Sequence, residues 1–287
     1  MKKFFSLWTM VLVTLAFTSC LTVQEGIEPS KNYVTKKVEV GTFDGISTSS
    51  SINVVYTQTS GSPDIEIYAP DNLVDYVHVT VEEGLLKVGF RSEDSGQGLS
   101  INGDHNTEVR VSSPAVHTLR TSSNGDIILK NGLQTDGEVN VKSSSNGDVE
   151  GGNIVCGALV ATASSNGDIT LEGAECTSLS VNASSNGDVS IKRVKAETVE
   201  ADASSNGDVN LSGTCRLAKL SASSNGDVEA KNLKADVVVA KASSTGDVTC
   251  YPIESLDATT SSNGSVSYKG APKHIDYHPK KGLKKID

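Results

Sequence analysis

The sequence predicts an all-β chain, most of it a single-stranded parallel β-helix (a solenoid) of about twenty residues per coil. Three observations predict it. A five-residue turn, Ser122-Ser123-Asn124-Gly125-Asp126, recurs with its Asn at Asn146, Asn166, Asn186, Asn206 and Asn225, and in altered form around Thr245 and Asn263. The intervals are 22, 20, 20, 20, 19, 20 and 18 residues, so the repeat is the first thing to explain. On both sides of each turn, apolar residues alternate with polar ones, the period of a strand with one inward face. Large side chains are also scarce. Trp8 is the only tryptophan, and beyond residue 19 the aromatic residues are seven Tyr, Phe43 and Phe90. Such a chain has to bury many small residues in a thin, regular core.

Residues 1–19 read as a lipoprotein signal peptide. Lys2 and Lys3 precede an apolar run from Phe4 to Phe17, and Phe17-Thr18-Ser19 leads into Cys20. The run is too short and wrongly flanked for a spanning helix. Small residues before a cysteine predict lipidation of Cys20, which would anchor the chain as an outer-membrane lipoprotein facing the periplasm or the cell surface. Ordinary signal cleavage near Ser19 is the alternative. Residues 20–35 are polar, include Gly26 and Pro29, and read as a tether. Loss of the signal removes two of the 25 Lys and Arg, leaving 23 against 35 acidic residues and a charge of about −12. With no basic stripe, such a chain repels phosphate backbones, so nucleic acid is excluded as a partner.

Residues 36–121 lack the strict repeat but still read as strands: Lys37–Val40, Ile52–Tyr56, Asp64–Tyr68, Val77–Val81 and Leu85–Val88. The stretch Pro70–Tyr76 has room for one helical turn. Solenoids need atypical end units over their exposed edges, and this part is expected to supply one. Residues 122–287 hold the regular coils and a C-terminal cap.

Within a coil, the third residue after the Asn is β-branched every time: Ile127, Val149, Ile169, Val189, Val209, Val228, Val248 and Val266. Before the next turn, alternate positions read Leu159-Ala161-Ala163, Leu179-Val181-Ala183, Val199-Ala201-Ala203 and Val238-Ala240-Ala242. Stacking pairs each strand with its equivalent about 4.8 Å away, so eight coils make a rod of about 40 Å. Asn and Gly both tolerate the left-handed region, so Asn-Gly is expected to form the sharp corner. Asn124, Asn146, Asn166, Asn186, Asn206, Asn225 and Asn263 are expected to form a structural ladder of stacked amides. The preceding Ser hydroxyls are placed to satisfy the backbone of the corner.

The turn also stacks carboxylates, each pair repelling by about 1 kcal/mol in water. Backbone N–H groups capping each carboxylate are the preferred resolution. Cations along Asp148, Asp168, Asp188 and Asp208 are the other. However, the Gly-Gly-x-Gly-x-Asp nonapeptide of calcium-binding solenoids is absent from the sequence. Cys156, Cys176 and Cys215 share one column, with Ala196 on the missing rung, as stacked thiols or with a Cys156–Cys176 bridge. His274, Asp276 and His278 alternate on one side of a C-terminal strand, read as a solvated cap rather than a metal site. Lys273, Lys280, Lys281, Lys284 and Lys285 make that tail basic, able to dock on the acidic body or face a membrane.

Several segments together resemble a known family: Phe43-Asp44-Gly45-Ile46, Ile65-Glu66-Ile67-Tyr68-Ala69-Pro70-Asp71-Asn72-Leu73, the strands around Leu85-Lys87-Val88, and the Ser-x-Asn-Gly-Asp-Val coils. They resemble the auto-transporter adhesin "head GIN domain" family of Bacteroidota over roughly residues 36–275. The resemblance implies a right-handed β-helix on a secreted or surface lipoprotein, and it brings no catalytic residues to transfer. Enzymes on this fold should show a local break in the repeat with clustered Asp, Arg, Lys or His. Here Arg is scarce (Arg91, Arg110, Arg120, Arg193 and Arg216), and the repeats lack aromatic platforms for sugars. The reading is therefore a non-enzymatic, membrane-anchored module that needs no cofactor and binds or displays a protein or glycan at the cell surface. A polysaccharide-degrading β-helix enzyme and an envelope structural or regulatory protein are the alternatives, and assembly with copies of itself stays open. Because the residue after the Val/Ile column varies (Ile128, Glu150, Thr170, Ser190, Asn210, Glu229, Thr249, Ser267), a binding face is expected there rather than on the constant turn.

Overall fold

The computed structural model describes residues 26–91, 99–278 and 282–287. The signal peptide, Cys20, the first part of the tether and Lys280 and Lys281 lie outside the described residues. The regular coils come from long strands that each run almost from one turn to the next: β14 (Ile169–Ala183), β15 (Val189–Ala203), β16 (Val209–Ala222), β17 (Val228–Ala242) and β18 (Val248–Thr260). Before them the same path is broken into β8 (Thr118–Thr121), β9 (Ile127–Leu129), β10 (Leu133–Gln134), β11 (Glu138–Ser143), β12 (Val149–Val155) and β13 (Ala158–Ala163). Each strand pairs in parallel with its equivalent one coil on, as in Ile169↔Val189↔Val209↔Val228↔Val248↔Val266. The chain is thus a parallel β-solenoid with about twenty residues per turn, as the spacing predicts.

Register turns sequence columns into core columns. Every member of the Val/Ile column from Ile127 to Val266 is buried. On the strip before each turn, Ala163, Ala183, Ala203, Ala222 and Ala242 stack directly. Ala fits because the two strips converge at the corner. At the two ends of the rod the same column carries hydroxyls, Thr48, Thr121, Ser143 and Thr260, all buried. Thr48 Oγ1 donates to Ile52 O at 2.6 Å and Thr121 Oγ1 to Gly147 O at 2.8 Å, so each satisfies a corner carbonyl. Burying one Val, Leu or Ile contributes about 1.5–3 kcal/mol, so the core draws its stability from many modest columns rather than a few large rings.

The N-terminal part holds a further coil that the turn motif does not mark. β2 (Gly45–Thr48) and β3 (Asn53–Gln58) lie in register on β8 and β9, Thr48 on Thr121 and Val54 on Ile127. Its corner reads Ser49-Ser50-Ser51-Ile52-Asn53, sharing only Ser-Ser with the motif. The intervening residues form the cap. β7 (Glu108–Ser113) adds in parallel to β3, and β4 (Asp64–Pro70) and β1 (Tyr33–Val38) follow antiparallel. On the other strip β6 (Leu85–Phe90) adds in parallel to β2, with β5 (Val77–Glu82) antiparallel outside it. A 3₁₀ turn, Val74–Tyr76, links the two groups, where one helical turn was expected. The second half of the stretch read as a tether is docked instead: Ile27 bridges Ile101, and Ser30 N–H donates to Asn72 Oδ1 at 2.9 Å. At the other end β19 (Val266–Tyr268), β20 (His274–His278) and β21 (Leu283–Lys285) close the stack. Ile275 continues the Leu256 column there and is 44% exposed, as the last rung must be.

Candidate binding surface

The corner differs from the sequence expectation in which residue adopts the left-handed conformation. The positive φ falls on the second Ser, at 59° to 62° from Ser123 to Ser244 and 56° at Ser262, and neither the Asn nor the Gly has it. The Gly is required for another reason. A Cβ on Gly187 would sit 2.7 Å from both Gly167 O and Ser164 N, and Gly207, Gly226 and Gly246 repeat this close approach to the coil beneath. Coils can stack at β spacing through the corner only where no side chain intervenes.

The ridge of turns is a continuous hydrogen-bond ladder. Asn146 Nδ2 donates to Asn124 Oδ1 at 2.8 Å, and Asn166, Asn186, Asn206 and Asn225 repeat the bond at 2.9–3.1 Å. Ser51 accepts from Asn124 at one end, and Thr245 donates to Asn225 Oδ1 at the other. Asn263, one coil beyond, donates its backbone N–H to Ser244 O at 2.8 Å. The carboxylates stack as a second ladder. The N–H of Asp148 donates to Asp126 Oδ1 at 2.9 Å, and Asp168, Asp188, Asp208, Asp227 and Asp247 each donate to the preceding Asp at 2.8 Å. Asn53 begins this row and Ser265 ends it. Burial, and then the neighbouring charges, raise the carboxyls of Asp126, Asp168 and Asp208 above the ordinary aspartate value, partly opposed by the capping N–H. The backbone thus occupies one oxygen of each carboxylate. Among the described residues no three His, Cys, Asp or Glu side chains gather in a metal-holding group, His274, Asp276 and His278 included. In that trio His278 Nε2 lies 3.1 Å from Asp276 Oδ1, on an exposed strand.

The Asn and Asp rows use their polar groups on one another. The cap does not. On the strip after the turn, Lys37, Glu66, Arg110, Val55 and Ile128 lie side by side across β1, β4, β7, β3 and β9. Arg110 lies 4.9 Å over the ring of Tyr68, which stacks on Tyr33 at 5.0 Å and 26°. Arg110 Nε also donates to Glu108 Oε1 at 2.6 Å, and this bond raises the guanidinium pKa further. Lys37 Nζ reaches Asp64 at 3.1 Å and Glu66 at 3.5 Å. Beside these lies a recess of about 470 Å³ lined by Val55, Thr57, Asp64, Glu66, Glu108, Arg110, Ser112 and Lys130. It gathers both signs of charge and two hydroxyls at the place where the repeat is interrupted, and Arg110 joins it to the Tyr33–Tyr68 pair. In the sequence Arg110 stands out only as one of five scarce arginines. The alternation Glu66/Tyr68 against Glu108/Arg110 carried the signal, but antiparallel pairing across about forty residues had to be known to see it.

Comparison with known proteins decides the family. The family described as "putative auto-transporter adhesin, head GIN domain" matches residues 42–177 and again residues 174–272. The chain belongs to that family. The two matches overlap at residues 174–177, within β14. A solved "putative adhesin" from Parabacteroides distasonis has TM-score 0.66 at 19% identity, covering 91% of this chain and 100% of that one. One from Parabacteroides merdae has TM-score 0.60 at 19% identity, covering 91% and 99%. A "putative lipid binding protein" from Parabacteroides distasonis also has TM-score 0.60 at 19% identity, covering 92% and 100%. At these identities the likeness is one of fold. No curated protein matches the chain. Among the described residues no helix is long and apolar enough to cross a membrane.

Proposed function

We propose that this family member is a surface-anchored, non-enzymatic lipoprotein, lipidated at Cys20, that binds a protein or glycan partner through the recess on its N-terminal cap. The observation that carries the reading is the interruption of the repeat. The Asn and Asp rows of the coils bond to their own equivalents one coil on, whereas Arg110, Glu66 and Asp64 of the cap, with Lys130 of the adjoining coil, line an open recess beside the Tyr33–Tyr68 pair. Ring faces with flanking charges and hydroxyls suit sugars and polar protein surfaces alike. The rod then acts as a spacer, holding the cap at one end. The family's adhesin description supports placement at the envelope surface. The test is a screen of the mature chain on glycan and host-protein arrays. Capture of a ligand is the expected result. Turnover of a polysaccharide would replace the reading with an enzyme on the same fold, and a silent array would favour a structural role in the envelope.

A further inference from the structure

The strip between the two faces of each coil ends in a column that reads Cys176, Ala196, Cys215, Ala235 and Pro252 in register, and Cys156 follows directly on the pair Val155↔Glu175, which sets it beside Cys176. Cys156 N–H donates to Glu175 O at 3.0 Å, tying the two coils together at this rung. Residues in register on neighbouring strands sit about 4.8 Å apart, within the Cα range of about 4.4–6.8 Å over which a disulfide closes. Both thiols are free, each is 9% exposed, and together they open on a recess of about 340 Å³ lined also by Thr177, Lys195 and Glu197. Their environments are unequal. The S–H of Cys156 donates to Ala158 O at 3.2 Å, and the interaction between the two thiols lowers Cys156 below its ordinary value and raises Cys176. The other two cysteines among the described residues are placed differently. Cys215 stands beyond Ala196, about 10 Å from Cys176, and Cys250 is fully buried on another column. Burial raises both of those thiols to about 12.

We propose that Cys156 and Cys176 are a dithiol site for thiol–disulfide exchange with low-molecular-weight disulfides. The Cys156 thiolate attacks one sulfur of the incoming disulfide, whose S–S bond breaks and releases one small thiol. Cys176 then gives up its proton and attacks the Cys156 sulfur, and the second small thiol leaves. The two protein thiols are oxidised, one external disulfide is reduced to two thiols, and the two protein hydrogens end on them. The new bond closes a loop of about twenty residues across one coil boundary, which limits the unfolded chain and raises resistance to denaturant.

The experiment treats the mature chain with oxidised glutathione, alkylates under denaturing conditions and maps peptides by mass spectrometry. The expected product links Cys156 to Cys176 with the loss of two hydrogens and no retained glutathione. Cys215 and Cys250 remain alkylated, the urea midpoint shifts upward, and dithiothreitol reverses both changes. Cys176→Ala, a residue the column already accepts at Ala196, should trap glutathione on Cys156. Cys156→Ala should slow modification of Cys176 at least tenfold. Equal modification of Cys156, Cys176, Cys215 and Cys250, preferred uptake at Cys215, or no link between Cys156 and Cys176 would overturn the proposal.

Discussion

Replacing Gly187 by Ala and Ser185 by Gly, two residues apart in one corner, separates the two requirements of the turn. A Cβ at Gly187 would lie 2.7 Å from Gly167 O and from Ser164 N, both backbone atoms of the coil beneath. The coils must part there, and the bonds that span the same gap weaken: Asn186 Nδ2 to Asn166 Oδ1 at 2.9 Å, Asp188 N to Asp168 Oδ1 at 2.8 Å and Asn186 N to Ser165 O at 2.7 Å. At about 1 kcal/mol for each neutral bond and about 2 for the one to a carboxylate, the loss is about 3–4 kcal/mol. Ser185→Gly acts in the opposite sense. At φ 62° the Ser gives up about 1 kcal/mol of left-handed strain, offset by the greater freedom of Gly in the unfolded chain, so the net change stays within about 1 kcal/mol. Urea unfolding followed by circular dichroism reads both. At a slope of about 3 kcal/mol/M, Gly187→Ala should lower the midpoint by about 1 M and Ser185→Gly should hardly move it. Hydrogen exchange should show the loosening confined to the coils next to residue 187, because repeat stability is a sum of neighbour contacts. If Ser185→Gly costs as much as Gly187→Ala, or Gly187→Ala is silent, the account of the corner fails.

Three further outcomes are expected. Asn186→Ala removes two rungs of the amide ladder, to Asn166 and from Asn206, and should cost about 1–2 kcal/mol by urea midpoint, whereas a silent variant would make the ladder decorative. Because folding raises the carboxyls of Asp126, Asp168 and Asp208, the folded chain holds more protons than the unfolded one between the ordinary aspartate value and the raised one. Their ionisation therefore opposes folding at neutral pH, and that opposition is relieved as pH falls through the raised values. The urea midpoint should rise on acidification from pH 7 toward that window, by less in Asp168→Asn, whose amide oxygen still accepts the N–H of Asp188. Tyr56 is fully buried, donates to Pro114 O at 2.8 Å and has its hydroxyl pushed up to about 12. Ultraviolet titration should therefore show one late tyrosine that Tyr56→Phe abolishes, with a stability loss of about 1–2 kcal/mol.

The regular coils were legible because stacking demands the same residue at the same place every twenty residues. The Val/Ile column, the Ala column and the Cys156–Cys176 adjacency followed from counting alone. The chemistry inside the corner did not. Asn and Gly are the familiar left-handed residues, and only backbone geometry shows that Ser carries the positive φ while Gly answers a contact with another coil. The coil Gly45–Gln58 was hidden because Ser51 and Asn53 substitute for Asn and Asp while keeping their hydrogen-bonding roles. The cap recess was hidden for a topological reason: its residues come from β3, β4 and β7 and from Lys130 after β9, and no local period announces that β4 adds antiparallel to β7. Where the repeat is perfect the sequence speaks plainly, and where function is expected the pattern stops.

The central claim is that the constant ridge holds the fold and the interrupted cap holds the binding face. The most direct test compares three chains on the same glycan and host-protein arrays: wild type, Asp168→Asn on the ridge, and Arg110→Ala with Lys130→Ala on the cap. The account predicts that wild type and the ridge variant capture the same ligand with equal strength and that the cap variant loses it at unchanged urea stability. Capture that survives the cap change, or that is lost with Asp168→Asn, would contradict it.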